Sequence, residues 1–225
     1  MSASATGPRF PPFWVRLLLA IAVLACFVAV AIRARAHPGF FLEADAIGDL
    51  FLMGAVFVWS PTSFFVGPVH REPRGRRLLS AALAGILASL AVNIAVNLLA
   101  LHHPAATPGR FQVQPAQAHG ELARVLLGVL GLVVAPMAEN AFFFGLAVYL
   151  LRCARRARWL GGPVGLLGLA AFTAAHGPTA LMAPVYGAAG LLIALTYWRR
   201  GYVASVVVHG AFNGAALYLL PLLVR

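Results

Sequence analysis

The segment LARVLLGVLGLVVAPMAENAFFFGLAVYLL, residues 122–151, is apolar enough to cross a membrane, yet it carries a carboxylate, Glu139, in its interior. A straight helix of these 30 residues would be about 45 Å long, whereas the hydrocarbon core of a bilayer is about 30 Å thick. The segment must therefore tilt, kink or break. Pro136, three residues before Glu139, is where we expect a kink.

The whole chain has the composition of an integral membrane protein. Of its 225 residues, 61% are hydrophobic and 10% are charged, and its mean hydropathy is +0.87. Soluble domains are nearer half apolar and a quarter charged. We predict an all-α, polytopic transmembrane bundle of about seven spans. The apolar segments run over residues 14–32, 47–68, 78–101, 122–151, 159–176, 180–198 and 202–223.

The basic residues predict the orientation of this bundle. All 17 are Arg, against 6 acidic residues. Clusters at 70–77, 152–158 and 199–200 follow the second, fourth and sixth apolar segments, so the positive-inside rule places them together in the cytoplasm. The N-terminus is then inside and the C-terminus outside. No basic stripe with interleaved aromatic residues is present, and we expect no nucleic-acid partner.

Four of the polar residues within or at the edge of apolar segments are of types that carry chemistry: Glu139, His176, His209 and Asn213. Glu139 is the only acidic residue deep in a span, and His176 ends the fifth apolar segment. His209 and Asn213, one helical turn apart, share a face of the seventh. An ionisable group at the bilayer centre costs about 2.5–3.5 kcal/mol, so such groups usually face a cavity or a partner. We therefore predict one shared polar cavity, although a single His of this kind more often forms a structural hydrogen bond between helices.

These residue types suit hydrolysis without a nucleophilic Ser or Cys. A Glu that is partly removed from water and lies beside an imidazole can take a proton from a water molecule. His residues and an Asn amide can stabilise the oxyanion that forms when water attacks a carbonyl. The motifs GxSxG and HExxH are both absent. Glu139, His176 and His209 are also a plausible zinc set, although Asn213 favours the metal-free interpretation because amides are poor zinc ligands.

Three short motifs contain these residues: ENAFFF at 139–144, FTAAH at 172–176 and HGAFN at 209–213. They resemble the motifs E-E-x-x-x-R, F-x-x-x-H and H-x-x-x-N/D of the CPBP family, the CAAX-protease and bacteriocin-processing membrane proteins. The resemblance covers residues 121–225. It implies a glutamic-type intramembrane endopeptidase that uses no cofactor. Its catalytic base would be Glu139, and His176, His209 and Asn213 would orient the reactants or stabilise the oxyanion.

The first motif departs from the family pattern at two positions. Asn140 replaces the second Glu and Phe144 replaces the Arg, two residues that support each other in the family. Replacing only one of them would leave a buried charge without its partner, whereas replacing both leaves no unpaired charge. We therefore interpret Asn140, together with Phe172 of the second motif, as supporting residues of an active variant. The alternatives are a non-catalytic scaffold or immunity protein that has lost proteolysis, and a transporter or proton relay.

The resemblance divides a single membrane domain into two regions. Residues 1–120 would supply three transmembrane helices and an external loop, and residues 121–225 would form the catalytic core of helices four to seven. The expected partners are the lipid bilayer and a membrane-anchored protein or peptide substrate. Composition points to a bacterial inner membrane, where relatives cut C-terminal sorting helices, as myxosortases do, process bacteriocin leaders or confer immunity. The sequence does not choose among these, and it leaves the oligomeric state open.

Overall fold

The computed structural model describes residues 75–102, 125, 128–152, 155–176 and 179–219, and also positions 15, 18, 21–22, 25–26, 29 and 48. The predicted spans 14–32 and 47–68 and the external loop therefore lie largely outside the described residues. The chain divides into two compact units, Met1–Pro61 and Thr62–Arg225. All elements named below belong to the second unit. The division at residue 120 stays a prediction.

Every regular element in the described ranges is helical, which confirms the all-α class for them. The elements are α1 (Gly75–His102), α2 (Leu130–Arg152), a 3₁₀ helix (Arg155–Leu160), α3 (Gly161–Ala175), α4 (Ala183–Arg200) and α5 (Tyr202–Gly214), which continues as a π-helical segment (Ala215–Leu219). Within the residues that the structure describes, three stretches are long and apolar enough to cross a membrane, namely Gly75–Leu99, Leu130–Arg152 and Tyr202–Leu219. The count of seven spans and the N-in, C-out orientation stay predictions.

Helix α2 does not end at Pro136. It continues through two five-residue π turns, Leu130–Val134 and Asn140–Phe144, which flank the α-helical segment Ala135–Glu139. Pro136 lies in the first turn of that segment. Such π turns inside α-helices occur frequently at functional sites. The second one begins directly after Glu139.

Each of these two π turns is met by a glycine of a neighbouring helix. A Cβ atom at Gly210 of α5 would overlap the carbonyl oxygen of Leu132, and one at Gly168 of α3 would overlap that of Phe143. Only glycine allows two backbones to approach so closely. The backbones of α5 and α3 therefore pack directly onto the irregular parts of α2.

Helix α5 is the centre of the bundle and packs against α1, α2 and α4. It is joined to α4 by Gly201 alone, whose φ of 96° favours glycine. Two arginines tie neighbouring helix ends together. Arg200 at the end of α4 donates to Ser80 Oγ of α1 at 2.9 Å, and Arg152 at the end of α2 donates to the Trp198 carbonyl oxygen of α4. The basic ends of α2 and α4 thus lie side by side with the start of α1.

Candidate active site

Glu139 of α2 and His209 of α5 face each other. Glu139 Oε2 lies 3.9 Å from His209 Nε2. The Glu139 side chain is 20% exposed, whereas that of His209 is 2% exposed. The separation is too long for a direct hydrogen bond, but it suits two groups that share one water molecule. The structure therefore brings together two of the four residues that the sequence predicted to share a cavity.

His209 is held from its other side by Asn140. His209 Nδ1 lies 2.8 Å from Asn140 Oδ1, and Asn140 Nδ2 donates to Ser205 Oγ at 3.2 Å. Ser205 Oγ in turn donates to the Tyr202 carbonyl oxygen at 2.7 Å. The side chains of Asn140 and Ser205 are fully buried. These contacts form a continuous polar chain from the backbone of α5 to the ring of His209.

His176 lies at the C-terminal end of α3 and joins the site through aromatic contacts. Its Nδ1 is 2.7 Å from the Phe172 carbonyl oxygen. Its ring centroid is 4.4 Å from the ring of Phe172 and 5.8 Å from that of Tyr186. The buried Phe172 ring is also 5.7 Å from the His209 ring. Phe172 therefore contacts both histidines, and its role as a supporting residue stays a prediction.

Asn213 makes a different contact from the one that the sequence suggested. Its Nδ2 donates to the carbonyl oxygen of Gly131 at 2.8 Å. In this π turn the Ala135 N–H bonds to the Leu130 carbonyl oxygen, and the next residue, Pro136, has no N–H to offer. Asn213 therefore supplies a donor that the helix lacks, from the same helix as His209.

Two residues that contact this site were missed by sequence reasoning. Ser205 bonds to Asn140, and Tyr202 donates its hydroxyl to the Met137 carbonyl oxygen of α2 at 2.7 Å. The available signal was spacing, since positions 202, 205, 209 and 213 form a polar stripe at helical intervals. Phe144, noted as a departure from the family pattern, is 1% exposed and packs against Phe172 with ring centroids 5.5 Å apart.

Among the described residues, no group of three or more His, Cys, Asp and Glu side chains is placed to hold a metal ion. The Nδ1 atoms of His176 and His209 already face Phe172 and Asn140, so a metal would have to use their Nε2 atoms. The expectation that no cofactor is needed stays a prediction.

Comparison with known proteins supports the resemblance. Residues 121–215 match the family model for type II CAAX prenyl endopeptidase Rce1-like proteins. No curated protein and no solved structure matches the chain. The matched segment contains all three motifs, so the predicted resemblance to the CAAX-protease family is confirmed over residues 121–215. Together with the apolar helices, the match indicates an integral membrane protein that resembles a CAAX protease over residues 121–215.

Proposed function

We propose that this chain, whose residues 121–215 match the Rce1-like type II CAAX prenyl endopeptidases, is an intramembrane endopeptidase of the glutamic type. The observation that carries the proposal is the 3.9 Å approach of the Glu139 carboxylate to His209 inside the matched segment. A carboxylate that is largely withdrawn from solvent and lies beside an imidazole is suited to general-base chemistry.

The proposed reaction needs one water molecule and no covalent enzyme intermediate. The Glu139 carboxylate accepts a proton from water while the water oxygen bonds to the carbonyl carbon of the substrate. His176, His209 and Asn213 orient the water or stabilise the resulting oxyanion. Glu139 then returns the proton to the amide nitrogen as the C–N bond breaks. The products are a new carboxyl terminus and a new amine.

The proposed substrate is a membrane-anchored protein or peptide that is cut close to the bilayer. The family name points to C-terminal prenylated CAAX tails. Composition and charge favour a multi-pass protein of a bacterial inner membrane with its N-terminus in the cytoplasm. In that setting we propose that the substrate is a bacterial membrane-anchored protein.

A specific observation favours one second candidate, a scaffold or immunity protein without proteolysis. Asn140 and Phe144 replace the charged pair of the family motif, and both are buried. This candidate predicts that the biological effect of the protein does not depend on the Glu139 carboxylate. A Glu139→Gln variant keeps the shape of the side chain and removes the base, so it separates the two candidates.

The test compares wild type, Glu139→Gln and a matched control, Glu72→Gln, which alters a predicted cytoplasmic loop. The probes are a farnesylated CAAX peptide and a panel of single-span reporter proteins tagged at both ends. We expect cleavage by wild type and by the control, and a loss of about 100-fold or more in Glu139→Gln, the typical contribution of a general base. Equal cleavage by wild type and Glu139→Gln would contradict the proposal. Failure of the wild type to cut any probe would favour the scaffold.

A further inference from the structure

We infer that Asn140 and Ser205 are positioning residues that hold the neutral His209 ring with its proton on Nδ1. The lone pair of His209 Nε2 then points towards Glu139, and His209 acts as a hydrogen-bond acceptor for the attacking water. This inference rests on the proposed function. Under this inference, His209 orients the attacking water and does not stabilise the oxyanion.

The chain of hydrogen bonds begins at an atom that can only accept. The Tyr202 carbonyl oxygen receives the hydroxyl proton of Ser205 at 2.7 Å, the usual distance of a good O–H···O bond. A serine hydroxyl has a single proton. Ser205 Oγ must therefore accept from Asn140 at 3.2 Å, which requires the NH₂ group of Asn140 to face Ser205.

The orientation of the Asn140 amide then decides the tautomer of His209. With its nitrogen on Ser205, the amide presents its oxygen to His209 Nδ1 at 2.8 Å. A carbonyl oxygen can only accept, so Nδ1 must carry the proton, and the neutral ring has its lone pair on Nε2. The 3.9 Å between Nε2 and Glu139 Oε2 is too long for an Nε2–H donor to bond the carboxylate directly, which agrees with this assignment.

Two acceptors that face each other can bind both protons of one water molecule. Glu139 Oε2 and His209 Nε2 are such a pair, and the water oxygen would then present its lone pairs to a substrate carbonyl. Phe172 lies between His209 and the other imidazole, His176, with ring contacts to both. An amide at position 140 orients the ring without adding a charge beside it. Asn140 can thus direct the imidazole by hydrogen bonding alone, where the family has a carboxylate.

Nuclear magnetic resonance of the protein labelled with ¹⁵N-histidine in lipid nanodiscs tests the tautomer directly. The His209 signals are identified by their loss in a His209→Gln variant. In the wild type at a pH where the ring is neutral, we expect a protonated Nδ1 and an unprotonated Nε2. In Asn140→Leu, which removes the acceptor, we expect the Nε2–H form to appear. A wild-type proton on Nε2, or a tautomer that Asn140→Leu leaves unchanged, would overturn the inference.

Ser205 variants test the positioning role with the farnesylated CAAX peptide or the reporter that the wild type cleaves. Ser205→Ala should lower kcat roughly 10- to 100-fold with little change in KM, as loss of an outer-shell partner typically does. Ser205→Thr keeps the hydroxyl and should restore most of this loss. Thr196→Ala is the matched control, because the buried Thr196 hydroxyl donates within its own helix α4, to the Leu192 carbonyl oxygen at 2.8 Å. Equal kcat values for Ser205→Ala and Thr196→Ala would overturn the role of Ser205.

The two measurements separate this inference from the proposed function. The expected tautomer in a protein that cuts no probe would uphold the Asn140–Ser205 arrangement and overturn proteolysis alone. An Nε2–H tautomer in a protein whose cleavage depends on Glu139 would uphold the proposed proteolysis and overturn the Asn140–Ser205 arrangement.

Discussion

Asn213 of α5 donates a hydrogen bond to the backbone carbonyl oxygen of Gly131 in α2 at 2.8 Å. That carbonyl lies in a π turn whose next potential donor is Pro136, a residue without an N–H. The same side chain therefore completes the backbone of α2 and fixes the position of α5, which carries His209. Mutagenesis of Asn213 must accordingly separate an effect on folding from an effect on catalysis.

Asn213→Asp should destabilise the protein measurably. The change keeps the size of the side chain, removes the donor and places a carboxylate oxygen against a carbonyl oxygen. Leaving a buried backbone acceptor unsatisfied costs about 1–3 kcal/mol in the free energy of unfolding. Denaturant titration in detergent micelles would measure it. Asn97→Asp is the matched control for a carboxylate within a membrane-spanning helix, because Asn97 donates to Asn93, one turn away on the same helix α1, and it should destabilise the protein less than Asn213→Asp does.

The Pro136→Ala background tests the reason for this effect. Alanine restores a backbone N–H in α2, so the carbonyl groups of that turn would no longer depend on Asn213. The Asn213→Asp change should then cost less in Pro136→Ala than in wild type, with a coupling of about 0.5–3 kcal/mol between the two sites. Additive effects of the two changes would show that Asn213 does not compensate for Pro136.

The close contact of α3 with the second π turn makes Gly168 intolerant of a side chain. A Cβ there would overlap the Phe143 carbonyl oxygen, whereas a Cβ at Gly162, on the same helix, would meet nothing within 4 Å. Overpacking of this kind typically costs about 1–3 kcal/mol. Gly168→Ala should therefore lower the unfolding midpoint. Gly162→Ala should leave it unchanged or raise it, since Ala favours helices over Gly by about 1 kcal/mol. Equal midpoints for the two variants would contradict the observed packing.

The metal-free mechanism predicts that prolonged dialysis against a strong chelator leaves cleavage of the probe unchanged. Glu139 and the two histidines would otherwise supply zinc ligands through carboxylate oxygen and Nε2 atoms. Elemental analysis of the purified protein should find no stoichiometric zinc. Zinc at one equivalent in wild type and its loss in both His176→Gln and His209→Gln would refute this prediction.

The positions of the helices followed closely from the sequence. The apolar segments 159–176 and 180–198 correspond to α3 at Gly161–Ala175 and α4 at Ala183–Arg200. Such segments are predictable because backbone hydrogen bonds in a membrane must be satisfied within the helix, so long apolar runs have few alternatives. The meeting of Glu139 with His209 was also anticipated, because isolated polar groups in an apolar medium are driven towards one another.

The local backbone of α2 could not be predicted in the same way. Pro136 signalled an irregularity, but its form, with two π turns, depends on partners from other helices. Gly210 and Gly168 approach those turns, and Asn213 and Tyr202 bond to carbonyl oxygens in α2. Ser205 was missed for a related reason. A serine within an apolar helix usually bonds to its own backbone, as Ser205 does, and nothing in the sequence revealed its second bond to Asn140.

Phe172→Leu should lower kcat clearly while lowering the free energy of unfolding only modestly. The Phe172 ring contacts both His176 and His209, so a smaller side chain would loosen both imidazoles. We expect a loss of stability of about 1–2 kcal/mol, since the change removes part of a buried side chain, and a clear decrease in kcat for the probe. The control is Phe142→Leu on α2, a half-buried ring that packs in a T-shaped arrangement against Phe143. A kcat that falls equally in both variants would argue against a specific role for Phe172.

The coordinated replacement in the first motif can be tested by reversing it. Phe144 is 1% exposed and Asn140 is fully buried, one turn earlier on α2. Phe144→Arg alone would place an unpaired charge in the bundle and should destabilise the protein by about 3–5 kcal/mol, as breaking a buried pair does. Adding Asn140→Glu supplies the partner that the family has. The double variant should therefore be more stable than Phe144→Arg alone, as judged by unfolding midpoint and by yield of folded protein.

The activity of the double variant then shows whether the replacements at positions 140 and 144 preserved proteolysis or abolished it. If Asn140 with Phe144 is a self-consistent alternative to the charged pair, the double variant should refold the site and still cleave the probe through Glu139, while each single change fails. Asn140→Glu alone should impair cleavage, because the new carboxylate would be buried without the arginine at position 144 that pairs with it in the family. A wild type that is inactive and a double variant that cleaves the probe would instead indicate that the replacements at 140 and 144 abolished proteolysis. The cleavage rates of wild type, Asn140→Glu, Phe144→Arg and the double variant decide between these outcomes. Glu139→Gln serves as the inactive reference.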